Sequence, residues 1–184
     1  MTNHGEGDIV LRTPRLTLRK LTEADLDATV AILSDPEVTR MFAMRFGPDE
    51  AMTWIRRQRE RYAVQGYGYW MVEDADGSAV GQAGLVPVTF DRREEPALGW
   101  VIAGEHRGRG YATEAAAGAV RVAFDTSAVQ RVLTLIRPLN LPSKRVAAKL
   151  GMRRAGCMLL AGLDHTVYRL PRADRVGAER WLQS

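Results

Sequence analysis

A glycine-rich basic loop between an apolar strand and a helix constrains this chain more than any other feature. Leu98 to Ala103 is an apolar run, and Arg107-Gly108-Arg109-Gly110-Tyr111-Ala112 follows it. A small-residue, helix-like run then extends from Tyr111 to Phe124. The order is strand, loop, helix. Two glycines let the backbone curl tightly and approach a ligand without a Cβ in the way. The following helix aims its unpaired N–H groups, and the positive end of its dipole, at whatever sits in the loop. Such an arrangement seats a phosphate or pyrophosphate. Arg107 and Arg109 add formal positive charge. The loop selects an anionic cofactor.

Spacing narrows the choice. A Walker-type phosphate loop needs G-x-x-x-x-G-K-[ST], which the sequence lacks. The dinucleotide fingerprint G-x-G-x-x-G is met at Gly108 and Gly110 but has Thr113 at its third position. The pattern R-x-x-G-x-A is complete at Arg107, Gly110 and Ala112. It resembles the acyl-coenzyme A loop of the GNAT superfamily of N-acetyltransferases. Further segments resemble the RimJ/RimL-like branch of that superfamily. Thr13-Pro14-Arg15-Leu16-Thr17-Leu18-Arg19 is similar to its opening strand, and Asp35-Pro36-Glu37-Val38 to the turn after its first helix. Gly66 to Val72 and Gly81 to Pro87 are similar to its second and third strands. Tyr111-Ala112-Thr113-Glu114-Ala115 is similar to the branch's helix start. Asn140-Leu141-Pro142-Ser143, with Lys149-Leu150-Gly151-Met152, resembles its N-x-x-S…K-L-G-F segment. Asp164-His165-Thr166-Val167-Tyr168 resembles its last strand, so the matches run in order through most of the chain.

Length and composition bound the rest. A chain of 184 residues suits one domain with a substantial core. Residues 1–10 read as a flexible tail and 11–184 as a single domain. The start carries Glu6 and Asp8 and has no signal-peptide character. No apolar run approaches the ~20 residues of a membrane span. Cys157 is the only cysteine, which excludes an internal disulfide and suits a reducing cytoplasm. The net charge of +4 comes almost wholly from scattered arginines, only Lys20, Lys144 and Lys149 being lysines. That scatter suits a polyanionic cofactor rather than nucleic acid. No His/Cys/Asp cluster has metal-ligand spacing, so no metal is expected.

Periodicity places the elements. Arg15 to Arg19 alternates as a strand. Thr22-Glu23-Ala24-Asp25 has capping-box spacing before a helix with Leu26, Val30 and Leu33 on one face. Pro48 opens a second helix reaching about Gln65, with Trp54, Ile55, Gln58 and Tyr62 at helical spacing. Residues 68–74 and 79–89 read as a hairpin across Asp76-Gly77. Leu98 to Ala103 is a strand, 112–124 a helix, 131–137 a strand and 142–150 a helix. A final hairpin pairs 152–160 with 163–170. Gly118 permits close helix–sheet approach, and Gly66 and Gly151 suit helix stops. The fold class expected is α/β (α+β): a mixed, mainly antiparallel sheet flanked by helices, the GNAT layout by resemblance.

The resemblance implies acetyl-CoA as cofactor and an amine as acceptor. Loop residues 107–112 and Thr113 would hold the pyrophosphate, chiefly through backbone N–H groups. Trp100, Val101 and Ile102 match the strand that splays open and hydrogen-bonds the pantetheine arm. Asn140 matches an asparagine that bonds the same arm, and it also suits a helix cap before Pro142. Ser143 matches a serine near the thioester sulfur, where a hydroxyl serves the leaving thiolate; it also suits the first turn of a helix. Many family members place a tyrosine acid four residues further on, but here that position is Ala147.

The general base is open. The strand motif resembling E-L-G-Y reads Ala97-Leu98-Gly99-Trp100, so alanine replaces the usual glutamate. Glu94 and Glu95 lie before Pro96 and are expected in a loop. Asp164 and His165 face the acceptor side by resemblance, and His165 suits base work near neutrality. A water chain is an alternative. Cys157 is expected to be a buried small hydrophobe rather than a nucleophile. Met41, Phe42, Phe46, Trp54, Tyr67 and Trp70 supply aromatic and apolar walls, of which one or two should reach the acceptor.

The acceptor expected is a protein or peptide N-terminal α-amine, with polyamines, antibiotics and amino acids as alternatives. Two other classes remain: an acyl-CoA sensor without chemistry, and a dinucleotide enzyme, which Thr113 disfavours. The oligomeric state, a homodimer included, is open.

Overall fold

The computed structural model describes residues 8–42 and 46–183, with the side chains of Met41 and Phe42 outside that description. Eight strands form one sheet in the order β1-β2-β3-β4-β5-β6-β8-β7. They span Ile9–Arg12, Thr17–Lys20, Tyr69–Glu73, Ala79–Phe90, Arg93–Ile102, Arg131–Ile136, Arg153–Leu160 and Leu163–Pro171 for β1 to β8. Within the sheet, only β5 and β6 run parallel among the described residues. The helices are α1 (Leu26–Leu33), α2 (Pro36–Phe42), α3 (Pro48–Val64), α4 (Tyr111–Thr126), α5 (Leu141–Lys149) and α6 (Val176–Glu179). This is the mixed, mainly antiparallel layout expected.

Buried clusters cover both faces of the sheet. One face packs Leu16, Leu18, Trp70, Leu85 and Leu98 against the alanine-rich side of α4. The opposite face packs Met71 and Leu21 against Ile32, Leu33, Val38 and Ile55 of the first three helices. Gly118 makes the first of these contacts possible, because a Cβ there would stand 3.0 Å from Leu11 Cδ2. At the start of α3, Pro48 takes the first turn, and Glu50 accepts a hydrogen bond from the Gly47 N–H at 2.9 Å.

Four expectations change. The segment read as a tail, 1–10, ends in order: Ile9 opens β1, whose ladder partner is β2. Period-2 alternation is short there, and the pairing comes from a strand that follows it. Glu94 and Glu95 belong to β5, not to a loop, because β4 pairs with β5 out to Phe90 opposite Arg93. Pro96 is tolerated within β5, opposite Pro87. Asp35-Pro36-Glu37-Val38 is the start of α2, with Asp35 accepting from the Glu37 N–H at 2.8 Å. Cys157 is exposed on β7, the end strand of the sheet, rather than buried.

The capping-box residue Asp25 does more than end a turn. Its carboxylate accepts from the Thr22 N–H at 2.7 Å and from both terminal nitrogens of the Arg19 guanidinium, at 2.9 and 2.7 Å. Arg19 Nε reaches Glu73 at 2.7 Å. Asp25 is fully buried and Arg19 nearly so, so this network ties β2, β3 and the entry to α1 in a low-dielectric setting. Burial works to raise the Asp25 carboxyl, but the Arg19 and Thr22 hydrogen bonds outweigh it and hold it below the usual carboxylate range.

Candidate active site

The parallel pair sets the site. Among the described residues β5 and β6 share one register pair, Ala97 opposite Leu133. Beyond it Leu98 to Ile102 stay paired with β4 but not with β6, so the sheet opens as a split. Both strands end toward the same edge. The loop after β5 leads into α4, and the turn after β6 leads into α5, so two helix N-termini flank the split. A crevice at the carboxyl ends of parallel strands is where open sheets take ligands.

The loop is built as an anion seat. Gly108 and Gly110 have φ of 79° and 85°, a left-handed conformation that suits glycine. A Cβ on Gly108 would meet nothing within 4 Å, so the glycine is needed for its backbone angle, not for room. The Gly110 carbonyl accepts from the Thr113 and Glu114 N–H groups at 3.0 and 3.2 Å. Among the described residues, the backbone N–H groups of Gly108, Arg109, Gly110, Tyr111 and Ala112 form no hydrogen bond. Successive unpaired N–H groups at a helix start are what a phosphate requires. Residues and cofactor fit.

The two loop arginines divide. The Arg109 side chain is exposed, and among the described residues it makes only a long 3.4 Å bond to the Glu105 carbonyl. The Arg107 guanidinium, expected to add charge to the seat, turns to the α1–α2 junction instead. It pairs with Asp35 at 2.9 Å and Glu37 at 2.6 Å, and its Nε reaches the Ile102 carbonyl at 3.1 Å. Partial burial works to raise the Asp35 carboxyl, but Arg107 and the Glu37 N–H hold it below its usual range. Arg107 therefore braces the loop rather than charging it.

Sequence reading assigned no role to the loop's second brace. Glu114, buried in the first turn of α4, accepts from Thr13 Oγ1 at 2.7 Å, from the Arg15 N–H at 2.9 Å and from Arg15 Nε at 2.7 Å. Arg15 also bonds the Arg109 carbonyl at 2.9 Å and lies over the Tyr111 ring at 5.2 Å. The signal was present in Thr13-Pro14-Arg15 and in Thr113-Glu114, but nothing in the linear order says that they meet.

The second helix start carries Asn140 and Ser143. Asn140 Oδ1 accepts from the Ser143 N–H at 3.1 Å and so caps α5, leaving the other end of its amide to donate. The Ser143 hydroxyl forms no hydrogen bond among the described residues. It is not the cap, and it is free to donate. Ala147, where a tyrosine acid would stand, is wholly buried in the core.

Strand pairing brings the last hairpin to the same edge. Thr166 of β8 pairs with Ile136, the last residue of β6, so Asp164 and His165 lie just past the end of β6. His165 Nδ1 sits 2.9 Å from the Leu163 carbonyl. That contact places the proton on Nδ1 and leaves Nε2 as the basic nitrogen of the neutral ring. Asp164 is exposed.

The aromatic residues separate by face. Trp70 is in the α4-side core and Tyr67 packs against it. Phe46 and Trp54 lie with the first three helices, their rings edge-on at 6.2 Å. Trp54 also meets Tyr69 edge-on at 5.1 Å and donates from Nε1 to Gln82 at 2.9 Å. Tyr69, absent from the expected site, completes this wall. Met41 and Phe42 side chains lie outside the described residues.

A family model described as an acetyltransferase (GNAT) domain matches residues 15–153. The chain belongs to the GNAT acetyltransferase family. It is an acetyl-CoA-dependent N-acetyltransferase by that membership. An FsC-acetyl coenzyme A-N(2)-transacetylase of Aspergillus fumigatus is 32% identical over 153 residues, covering 77% of this chain and 64% of that protein. An acetyltransferase from Agrobacterium tumefaciens has a similar structure, with TM-score 0.76 and 26% identity over 91% of this chain and all of that one. The fold also matches Mycobacterium smegmatis RimJ in complex with CoA-disulfide, with TM-score 0.75 and 22% identity over 91% of this chain and 88% of that one. As a GNAT protein the chain uses acetyl-CoA, and the unpaired N–H groups of Gly108 to Ala112 among the described residues suit a phosphate-bearing ligand. No helix among the described residues is long and apolar enough to cross a membrane.

Proposed function

We propose that this protein acetylates an N-terminal α-amine of a protein or peptide, in the manner of the RimJ/RimL-like branch and within the cytoplasm. One observation carries the cofactor half of this reading: five successive N–H groups at the start of α4, unpaired among the described residues, beside a split sheet. When bound, acetyl-CoA supplies an activated acetyl carbon, whose bond to sulfur breaks as the bond to nitrogen forms. Gly108 to Ala112 hold its phosphates, and Trp100 to Ile102, without β6 partners, offer backbone groups to its arm. The amide of Asn140 steadies the same arm.

The acceptor half rests on what stands at Ala97. A methyl group there takes no proton, so the site favours an amine that is already partly neutral. An α-amine, with a reference pKa of ~7.7–8.0, meets that need, whereas a lysine-like amine near ~10.4 does not. His165 Nε2 then removes the remaining proton, with Asp164 beside it in the chain. The Ser143 hydroxyl donates to the leaving thiolate. A small-molecule acceptor is the second reading.

The deciding experiment measures CoA release from acetyl-CoA against N-terminal peptides, spermidine, an aminoglycoside and free amino acids. Peptide-dependent release supports the α-amine reading, and release only with a small amine replaces it. Ser143→Ala should lower kcat by roughly 10-fold, the worth of one hydrogen bond to a charged group. Its melting temperature should stay unchanged, because the α5 cap is Asn140. An unaltered kcat would remove Ser143 from the mechanism.

A further inference from the structure

Tyr69 is only 8% exposed, yet its hydroxyl forms no hydrogen bond among the described residues. Its backbone is fully engaged: the N–H donates to Gln58 at 3.0 Å, and the carbonyl accepts from the Tyr62 hydroxyl. Buried phenols ordinarily find a partner. The hydroxyl oxygen is not one of the fully buried unpaired atoms of the described residues, so it keeps an opening to a ligand.

Strand register decides where the hydroxyl lies. Tyr69, Gly84 and Gly99 form one row across β3, β4 and β5. Neither glycine carries a side chain, so the ring extends across β4 and its hydroxyl rests against Gly99. A Cβ built on Gly99 would collide with the Tyr69 hydroxyl oxygen. Trp54 fixes the ring from the other side, and Gln82 fixes Trp54. Gly99 is two residues past Ala97, where β5 parts from β6.

We propose that the Tyr69 hydroxyl is a catalytic hydrogen-bond donor to the acetyl carbonyl oxygen of acetyl-CoA, received beside Gly99. The inference rests on the cofactor seat at Gly108–Ala112. That seat lies past the C-terminal end of β5, so an arm in the split runs back from Ile102 toward Ala97. Its thioester end comes to the narrow end of the split, where Gly99 and the hydroxyl are. The carbonyl oxygen gains negative charge as the amine attacks, and a donor already held in place stabilises that charge without reorganising. Burial pushes the Tyr69 phenol up to about 12. It therefore keeps its proton at working pH and acts as a donor, not as a base.

Isotope-edited infrared spectroscopy of acetyl-CoA labelled with carbon-13 at the carbonyl tests this without an acceptor. Bound to the wild-type chain, the carbonyl stretch should fall below its free frequency. In Tyr69→Phe, which keeps the ring and its contact with Trp54, the band should return toward the free value. CoA affinity by calorimetry should stay within about twofold of wild type. With an accepted amine, kcat should fall roughly 10²- to 10³-fold. Gly99→Ala, whose methyl takes the hydroxyl's place, should return the band in the same way. An identical band in wild type and both variants would overturn the proposal. Failure of the wild-type chain to bind acetyl-CoA in the calorimeter would overturn the seat, and this inference with it.

Discussion

Gly110→Asp should abolish acetyl-CoA binding while leaving a folded protein. Gly110 is the N-terminal cap of α4 with φ 85°, and a Cβ there would stand 3.3 Å from Arg15 Nη2. Aspartate is a good capping residue and tolerates the left-handed region better than most, so the fold survives. Its carboxylate would occupy the seat and pair with Arg15, meeting the pyrophosphate with like charge. Like-charge contact costs several kcal/mol, which predicts affinity at least about 100-fold weaker. Gly110→Ala separates the causes, since it brings the backbone strain without the charge and should weaken binding far less. Calorimetric affinity for acetyl-CoA within tenfold of wild type in Gly110→Asp would disprove the seat.

Asp25→Ala should destabilise the protein by about 3–5 kcal/mol, the usual cost of removing one partner of a buried ion pair. Arg19 would keep Glu73 but lose both bonds to Asp25, and the Thr22 N–H would lose its acceptor. The effect has a sign in pH. The folded-state carboxyl is depressed, so its contribution is present above the unfolded value of ~3.9 and is lost as pH falls through the lower folded value. Denaturant unfolding should therefore show a large gap between wild type and variant at pH 7 that narrows below about pH 4. A gap that stays constant down to pH 3, or one under 1 kcal/mol at pH 7, would contradict the network's role.

Much of the fold was legible in the sequence. Local chemistry is written in local order: Asp76-Gly77 turns a hairpin, Pro48 opens α3, and Gly66 and Gly151 end helices with φ of 77° and 79°. The strand–loop–helix at 98–124 was legible for the same reason, because each of its signals spans a few residues. Helix faces were less so. Thr29, Ile32 and Leu33 are the buried residues of α1, so of the expected Leu26, Val30 and Leu33 stripe only Leu33 is fully buried and the other two are half-buried. Thr29 is drawn inward by Gln82, which donates to its hydroxyl at 3.1 Å across 53 positions.

The sequence by itself determined the class of ligand and the family. Glycines at 108 and 110 ahead of a helix allow an anion there whatever surrounds them, since backbone angles and orphan N–H groups are local properties. Tertiary structure alone decided what each side chain does. Arg107 and Arg109 are near neighbours with the same charge, yet Asp35 and Glu37 draw the first to the α1–α2 junction while the second stays exposed. Arg15 and Glu114 lie 99 positions apart and meet only because β1, β2 and α4 pack together. Tyr69 gave no linear signal. Its hydroxyl reaches Gly99 because two antiparallel ladders place Gly84 and Gly99 in its row, and register between strands is a property of pairing, not of any one segment.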